Sequence, residues 1–454
     1  MKDTKKQTAR FIAAQVLNKF EPDKNYASTI LEKYLDKTEQ RQRATDLVFG
    51  TLRNLAAIDT VINELSGCPI KRIQKKLLNI IRIGCYEIIY TPSTGEHSIV
   101  NEAAQNVKAI ASSKQVGFVN ALLRQIIRHV ANRQTALSQT NLKRTLPQNI
   151  DTGCEFDLDF LPDDTNSIAE YLSIVFSLPL WLVTDWLNDL GDEKARQICF
   201  ACNRRPGFYI RPNTLKTSLP DLVAKLQEES IEIDLIENEP LLRIKSPSAV
   251  SKLPGFNEGL FVVQDLTASL PVRILKPKPN WKILDMCAAP GGKTTQLAEA
   301  TNDLAQIIAT DIDSERLRRL DDNIKRLGIT SVQVLKYEKI SGMKFDCILL
   351  DVPCSNTGVL AKRIETRYRI EPEKISEIAR VQAGILNKAS TMLNPCGTIC
   401  YSTCSIQDQE NSGIAKAFLA KHKDFTLICE KLTLPSAQGF DHDGGYCAVI
   451  RKNS

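Results

Sequence analysis

From Leu260 onward, short apolar runs alternate with helical stretches: "KILDM", "TTQLAEA", "QIIAT", "SERLRRLDDNIKRLG", "SVQVL" and "FDCILLD", then the helix "ISEIARVQAGILNKASTML" and the strand "GTICYST". Successive strands joined by helices have to run parallel, because a helical crossover brings the chain back to the same edge of the sheet. The order therefore predicts an open, Rossmann-like α/β domain over 260–454. In such sheets ligands bind beyond the carboxyl ends of the strands, so residues that carry chemistry are sought there.

The front of the chain reads differently. Between Thr8 and Arg128, apolar residues recur at three- and four-residue steps, as in "ASTILEKYL", "IQKKLLNIIRIGCYEIIY" and "VGFVNALLRQIIRHV", with breakers such as "GCPI" and "TPSTGEHS" between them. This predicts an all-α domain over 1–135. Periodicity fades over 136–165, which is read as a linker, and 166–259 mixes helices with short strands as a small α+β domain. Residues 1–150 hold 23 Lys and Arg against 12 Asp and Glu, whereas the remainder holds 36 against 41. The basic excess of the front end suits a polyanionic partner.

No apolar run reaches the roughly 18–20 residues that cross a bilayer. The basic start is broken by Gln15 and Asn18 before it can form a signal sequence, so a cytosolic protein is expected. Thirteen cysteines scattered over such a chain read as free thiols. The single C-x-x-C pair, Cys199 and Cys202, lies in a helical pattern without a second pair at zinc-ribbon spacing. It reads as buried small residues, and no metal is expected.

In "WKILDMCAAPGGKTTQLAEA" a buried strand meets a turn with Gly291 and Gly292, and a helix then starts near Lys293. Glycines let backbone approach a ligand, and the new helix offers free N–H groups. Asp311, at the end of the next strand, is placed to accept the hydroxyls of a ribose. The turn misses a P-loop by one position, where Cys287 stands in place of glycine, and G-x-G-x-x-G is absent. An adenosine ligand without a pyrophosphate fits better, and S-adenosylmethionine is one.

Asp351 ends "FDCILLD" and is followed by Pro353 and Cys354; Cys404 ends the later strand "GTICYST". Two thiols and a carboxylate beside a methyl donor suit a carbon that needs activation. Cytosine C5 is such a carbon, since a thiolate added at C6 makes it enamine-like. Asp351 is placed to hydrogen-bond the base at N3 and N4. The chemistry alone leaves open which thiol attacks.

At these residues the chain resembles the RNA cytosine-C5 methyltransferases, through "DMCAAPGGKT", "DVPCSNTGV" and "YSTCS" in that order, with "QENSGIAKAFL" and "DGGYCAVIRK" towards the end. "SLPLW" resembles the small domain before the catalytic one. "LVFGTLR", "RIGCYEIIY", "VNEAAQNVK" and "GFVNALLR" are similar to a NusB-like RNA-binding domain. That combination resembles the bacterial small-subunit rRNA methyltransferase B subfamily. The resemblance implies cofactor contacts through Cys287, Ala288, Ala289, Pro290, Gly291, Gly292 and Lys293, with Asp311 on the ribose and Asp351 near the methyl donor. It implies that Cys404 attacks and Cys354 assists release, with Asp351 and Lys293 completing the catalytic set.

Two departures from the family pattern stand out. Lys336-Tyr337 occupies the place of a Gly-Asp pair, and "LAKRIETRYR" puts Ile364 and Tyr368 where proline and tryptophan are usual. The expected activity is S-adenosylmethionine-dependent methylation of cytosine C5 in 16S rRNA, free or in early assembly, by a monomer. An RNA-binding assembly factor that has lost turnover, or the same chemistry on tRNA, remain as alternatives.

Overall fold

The computed structural model describes residues 6–110, 112–245 and 249–454. The chain forms two compact units, Met1–Arg204 with Leu360–Arg369, and Arg205–Val359 with Ile370–Ser454.

The first unit begins with helices Ala9–Lys19, Ala27–Leu35, Arg41–Arg53, Leu55–Leu65, Lys75–Tyr90, Glu96–Lys108 and Ser113–His129. Their apolar stripes are buried, for example Leu77, Ile81 and Ile88, or Val119, Leu122 and Ile126. Buried charge in this bundle is paired at Glu87. Glu87 receives Arg10 Nε at 2.5 Å and Arg43 Nη2 at 3.0 Å, and Arg10 also reaches Glu102 at 2.5 Å.

The stretch read as a linker, 136–165, proves to be folded in large part. Strands Val130–Ala136, Thr145–Pro147 and Thr152–Phe156 make a three-stranded antiparallel sheet. Arg133 explains its place: the guanidinium donates to the carbonyls of Glu87, Ile88, Thr91 and Thr94 at 2.8–3.1 Å, capping the end of helix Lys75–Tyr90. The strands show no regular apolar alternation in the sequence, as "VANRQTA" and "TGCEF" are mostly polar or small. Leu146, Cys154 and Phe156 nevertheless face inward.

Helices Ile168–Val175, Leu180–Leu190 and Asp192–Asn203 follow. Leu360–Arg369 completes this unit. The Arg367 guanidinium is buried and donates to Arg53 O (2.8 Å), Phe176 O (3.0 Å), Cys202 O (2.9 Å) and Asn203 Oδ1 (2.8 Å). Glu365 accepts from Ala27 N at 3.0 Å, and the Tyr368 hydroxyl donates to Leu52 O. The acceptors for Arg367 cluster at three helix C-termini, where unpaired carbonyls and the helix dipole favour a cation. The departure from the family pattern at "RIETRYR" is therefore a docking segment with its own partners.

In the second unit a four-stranded antiparallel sheet comes first, in the order Ile233–Leu235, Leu242–Ile244, Phe208–Pro212 and Phe261–Val263. Leu222 and Leu226 of helix Leu219–Glu228 pack on it. Its last strand lies past 259, the expected boundary, because Phe261–Val263 pairs with Phe208–Pro212.

The second sheet has seven strands: β1 (Lys282–Asp285), β2 (Gln306–Ala309), β3 (Val332–Val334), β4 (Phe345–Asp351), β5 (Leu393–Thr403), β6 (Phe425–Thr433) and β7 (Gly445–Lys452). Their order is β3-β2-β1-β4-β5-β7-β6. The first five run parallel and β7 is antiparallel to both β5 and β6. Helices α1 (Gly292–Ala300), α2 (Ser314–Leu327), α3 (Pro372–Ser390) and α4 (Ser412–Lys421) provide much of the cover. Period-two alternation divides the core. Cys347 and Leu349 of β4 join Leu297 of α1 and Leu320 of α2, while Ile348 and Leu350 join Leu386 of α3 and Phe418 of α4.

Candidate active site

β1 ends at Asp285 and the chain turns through Met286–Pro290 before α1 begins. Gly291, ahead of α1, has φ +106° and sits so close to α2 that a Cβ there would lie 2.4 Å from Leu320 Cδ1. Only glycine fits. A Cβ on Gly292 would meet nothing within 4 Å, so open space lies over the start of the helix, where N–H groups are unpaired. Asp311, buried beyond β2, accepts from Ala289 N (3.2 Å) and Asp313 N (3.0 Å). Arg316 donates to Ala289 O and lies 3.7 Å from Asp311. The predicted cofactor residues thus form one continuous wall from Cys287 to Lys293, with Asp311 across the turn.

Asp285 lies beneath this wall. Burial pushes its carboxyl up to about 7, against a lowering hydrogen bond from Thr294 Oγ1 at 2.7 Å. Its other oxygen has no hydrogen-bond partner among the described residues. Burial likewise raises the Cys287 thiol.

The parallel pairing of β4 with β5 puts Asp351 opposite Ser402, so the residues just beyond both strands emerge side by side. Cys354 Sγ and Cys404 Sγ are 3.1 Å apart. Asn356, with φ 62°, lies between the two loops. It accepts from Cys404 Sγ at 3.1 Å through Oδ1 and donates to Cys354 O at 2.9 Å through Nδ2. Asparagine tolerates this left-handed backbone because its short amide bonds locally. The Cys354 thiol is raised well above its ordinary value, first by its hydrogen bond with Cys404 and then by burial.

Lys293 Nζ lies 2.7 Å from Asp351 Oδ2, and Ser402 Oγ donates to Asp351 Oδ1 at 3.1 Å. Burial alone would lower the Lys293 ammonium; the Asp351 carboxylate outweighs it and the net shift is upward. A solvent-open cleft lies beside these groups, lined by Lys293, Thr403, Cys404, Lys431, Gly445 and Tyr446 among others.

Lys293, Asp351, Cys354 and Cys404 are thus brought to one rim. Tyr337 instead packs against the hydrophobic core, and Glu338 is exposed. Cys199 and Cys202 are buried within helix Asp192–Asn203. The sequence reading passed over Asn356 and Ser402. Asn356 stood inside a quoted motif, but only the tertiary fold shows that its amide spans both loops.

Known proteins match this architecture part by part. The family model for 16S rRNA methyltransferase RsmB/F matches residues 272–448, that of the NusB family 7–128, and that of the RsmF/B-like ferredoxin-like domain 178–251. Ribosomal RNA small subunit methyltransferase B of Klebsiella pneumoniae (strain 342) is 33% identical over 426 residues, covering 92% of this chain and 91% of that protein. The counterpart from Shigella sonnei is 32% identical, covering 99% of each. The crystal structure of NSun6 from Pyrococcus horikoshii with SFG, an S-adenosylmethionine analogue, superimposes with a TM-score of 0.56 at 25% identity, covering 61% of this chain and 98% of that one. The chain belongs to the 16S rRNA methyltransferase RsmB/F family and is an S-adenosylmethionine-dependent methyltransferase.

Proposed function

We propose that the protein methylates C5 of a cytosine in 16S rRNA through a temporary bond from Cys404 to C6 of the base. The observation that carries this reading is the pair of sulfurs 3.1 Å apart, at the ends of adjacent parallel strands, beside the Lys293–Asp351 pair.

When bound, S-adenosylmethionine supplies a methyl group on a positively charged sulfur. Cys287, Ala288, Ala289, Pro290, Gly291, Gly292 and Lys293 would hold it through the turn and the start of α1, with Asp311 on the ribose and Asp351 towards the methyl end. The open space above Gly292 and the inward position of Asp311 fit such a group. Cys404 loses its proton and its sulfur adds to C6, so that electron density moves to C5. Asp351 accepts from the N4 amino group of the base, and from N3 once that nitrogen takes up a proton during addition, with Lys293 beside it balancing charge. After methylation the C5 proton passes to water in the open cleft, its electron pair re-forms the C5–C6 double bond, and the Cys404–C6 bond breaks with its electrons returning to sulfur. Cys354, in contact with the departing sulfur, assists this release.

The RNA substrate is supported by the names of the relatives and by the basic helical region. Lys71, Arg72, Lys75, Lys76 and Lys114 are all exposed. Gln115 donates to Gln74 at 3.3 Å, which draws their two segments together. Such a group would grip phosphates while the target base is splayed out, since an RNA duplex hides its base edges. In this reading 1–135 and 166–259 bind RNA and 260–454 catalyses, in a cytoplasmic monomer acting on free or early-assembly rRNA.

The test uses 16S rRNA transcripts with labelled S-adenosylmethionine, followed by bisulfite sequencing. One protected cytosine is expected. Cys404→Ala abolishes labelling, whereas Cys354→Ala accumulates a protein–RNA adduct that persists on denaturing gels. An adduct from Cys404→Ala with none from Cys354→Ala would reverse the two roles.

A further inference from the structure

Glu410 lies in a short turn between β5 and α4 and is completely buried. Its Oε1 accepts from Ser355 N at 2.8 Å and from Gln382 Nε2 at 3.1 Å. Its Oε2 receives Ser405 Oγ at 2.5 Å and also the Ser355 hydroxyl. Ser355 directly follows Cys354, and Ser405 directly follows Cys404. One carboxyl group therefore binds the residue next to each of the two thiols, across 50 residues of chain, and touches neither sulfur.

Neighbouring contacts strengthen the same connection. Gln382 also donates to Pro353 O at 2.9 Å, on the other flank of Cys354. Thr357 Oγ1 lies 3.0 Å from Ser405 Oγ and accepts from Ile406 N at 3.1 Å. Asn411, next to Glu410, donates to Ser405 O at 2.9 Å and accepts from Thr403 Oγ1 at 2.6 Å. Buried polar groups tied by this many bonds hold their loops in one arrangement, because moving either loop would strand several of them unpaired.

We propose that Glu410 is a positioning residue that sets the separation of Cys354 and Cys404. The proposal rests on the two-thiol reading above, and it concerns the geometry of the pair. Four donors meet its two oxygens, so the requirement is for acceptor geometry in place. Glutamine can supply it. Its oxygen takes the two N–H donors, and its amide donates to the two serine oxygens, which can turn to accept. Alanine supplies none of it.

Closure of a Cys354–Cys404 disulfide by diamide serves as a ruler that needs no RNA. The two thiols give up two electrons and two protons to the azo compound, which becomes the hydrazine. Peptide-level mass spectrometry reads the product. Glu410→Ala is expected to slow closure by about ten-fold or more, because a disulfide forms only within a narrow geometry. It should lower kcat by about 100-fold with S-adenosylmethionine affinity and the KM for RNA unchanged, the scale of a displacement of roughly 1 Å. Glu410→Gln is expected to restore both.

Closure at the wild-type rate in Glu410→Ala, or a Glu410→Gln protein as impaired as alanine, overturns the proposal. If Glu410→Ala no longer binds cofactor, the Ser355→Ala/Ser405→Ala double variant decides: slowed closure and lowered kcat support the strut, and wild-type values refute it. A wild-type protein inert towards cytosine would refute the functional reading, whereas the closure rates would still judge Glu410.

Discussion

At the scale of single residues, the site combines groups announced by contiguous motifs with groups that only folding brings together. Gly291 belongs to the first kind. Gly291→Ala combines a left-handed φ with a clash against Leu320, so a stability loss of about 1–3 kcal/mol is expected. Cofactor affinity should fall with it, and calorimetry measures both. Asp285 makes a pH-dependent contribution. Its carboxyl is raised to about 7 by burial, whereas an unfolded carboxyl titrates near ~3.9. Between these values the folded protein keeps a proton that the unfolded chain has lost. This stabilisation is present below the lower value and is lost as pH rises through the upper one. Asp285→Asn avoids the loss. In cofactor-free protein its melting temperature should exceed the wild type's by a margin that opens between about pH 4 and 7 and then levels off, worth roughly 4 kcal/mol at most. A margin independent of pH would contradict this assignment. Glu410 and Asn356 belong to the second kind: both stand inside quoted motifs, but their partners are up to 55 residues away and no local pattern announces that pairing.

At the scale of elements, period and burial agree wherever the elements are long. β4 reads "FDCILLD", and its alternate residues divide between the two cores because helices cover both faces. The strands of the first unit were illegible because "VANRQTA" and "TGCEF" are mostly polar or small and carry no regular apolar alternation. Arg133 is one of the ties between that sheet and the bundle, alongside Gln148, whose amide donates to Ile89 O. Arg133→Ala leaves four carbonyls without this donor, and a loss of about 1–3 kcal/mol is expected by denaturant unfolding. Amide exchange should speed up in Val130–Ala136 before it does in the helices. Uniform exchange across both would show that the sheet does not depend on this residue.

At the scale of the whole molecule, chain order and compact unit do not coincide. The chain leaves the second unit at Val359, spends Leu360–Arg369 in the first and returns at Ile370. A fragment ending at Arg204 therefore lacks the guanidinium of Arg367 and the carboxyl of Glu365. Such a fragment is expected to melt below its intact counterpart, and a peptide covering 358–371 should raise its melting temperature when added in trans. The same peptide with Arg367 replaced by alanine should do so much less. Equal effects from both peptides would remove Arg367 from this role.

The sequence alone determined the order of strands and helices in the catalytic part, the glycine turn, the two cysteines and the basic front. Each of these is carried by neighbouring residues or by a period of two or 3.6, which are local properties. Only the tertiary structure decided that residues 130–156 form a sheet, that 360–369 docks among helix ends, and that Glu410 joins the flanks of both thiols. These features depend on which buried donors and acceptors meet once the chain is packed, and a one-dimensional pattern does not contain that pairing.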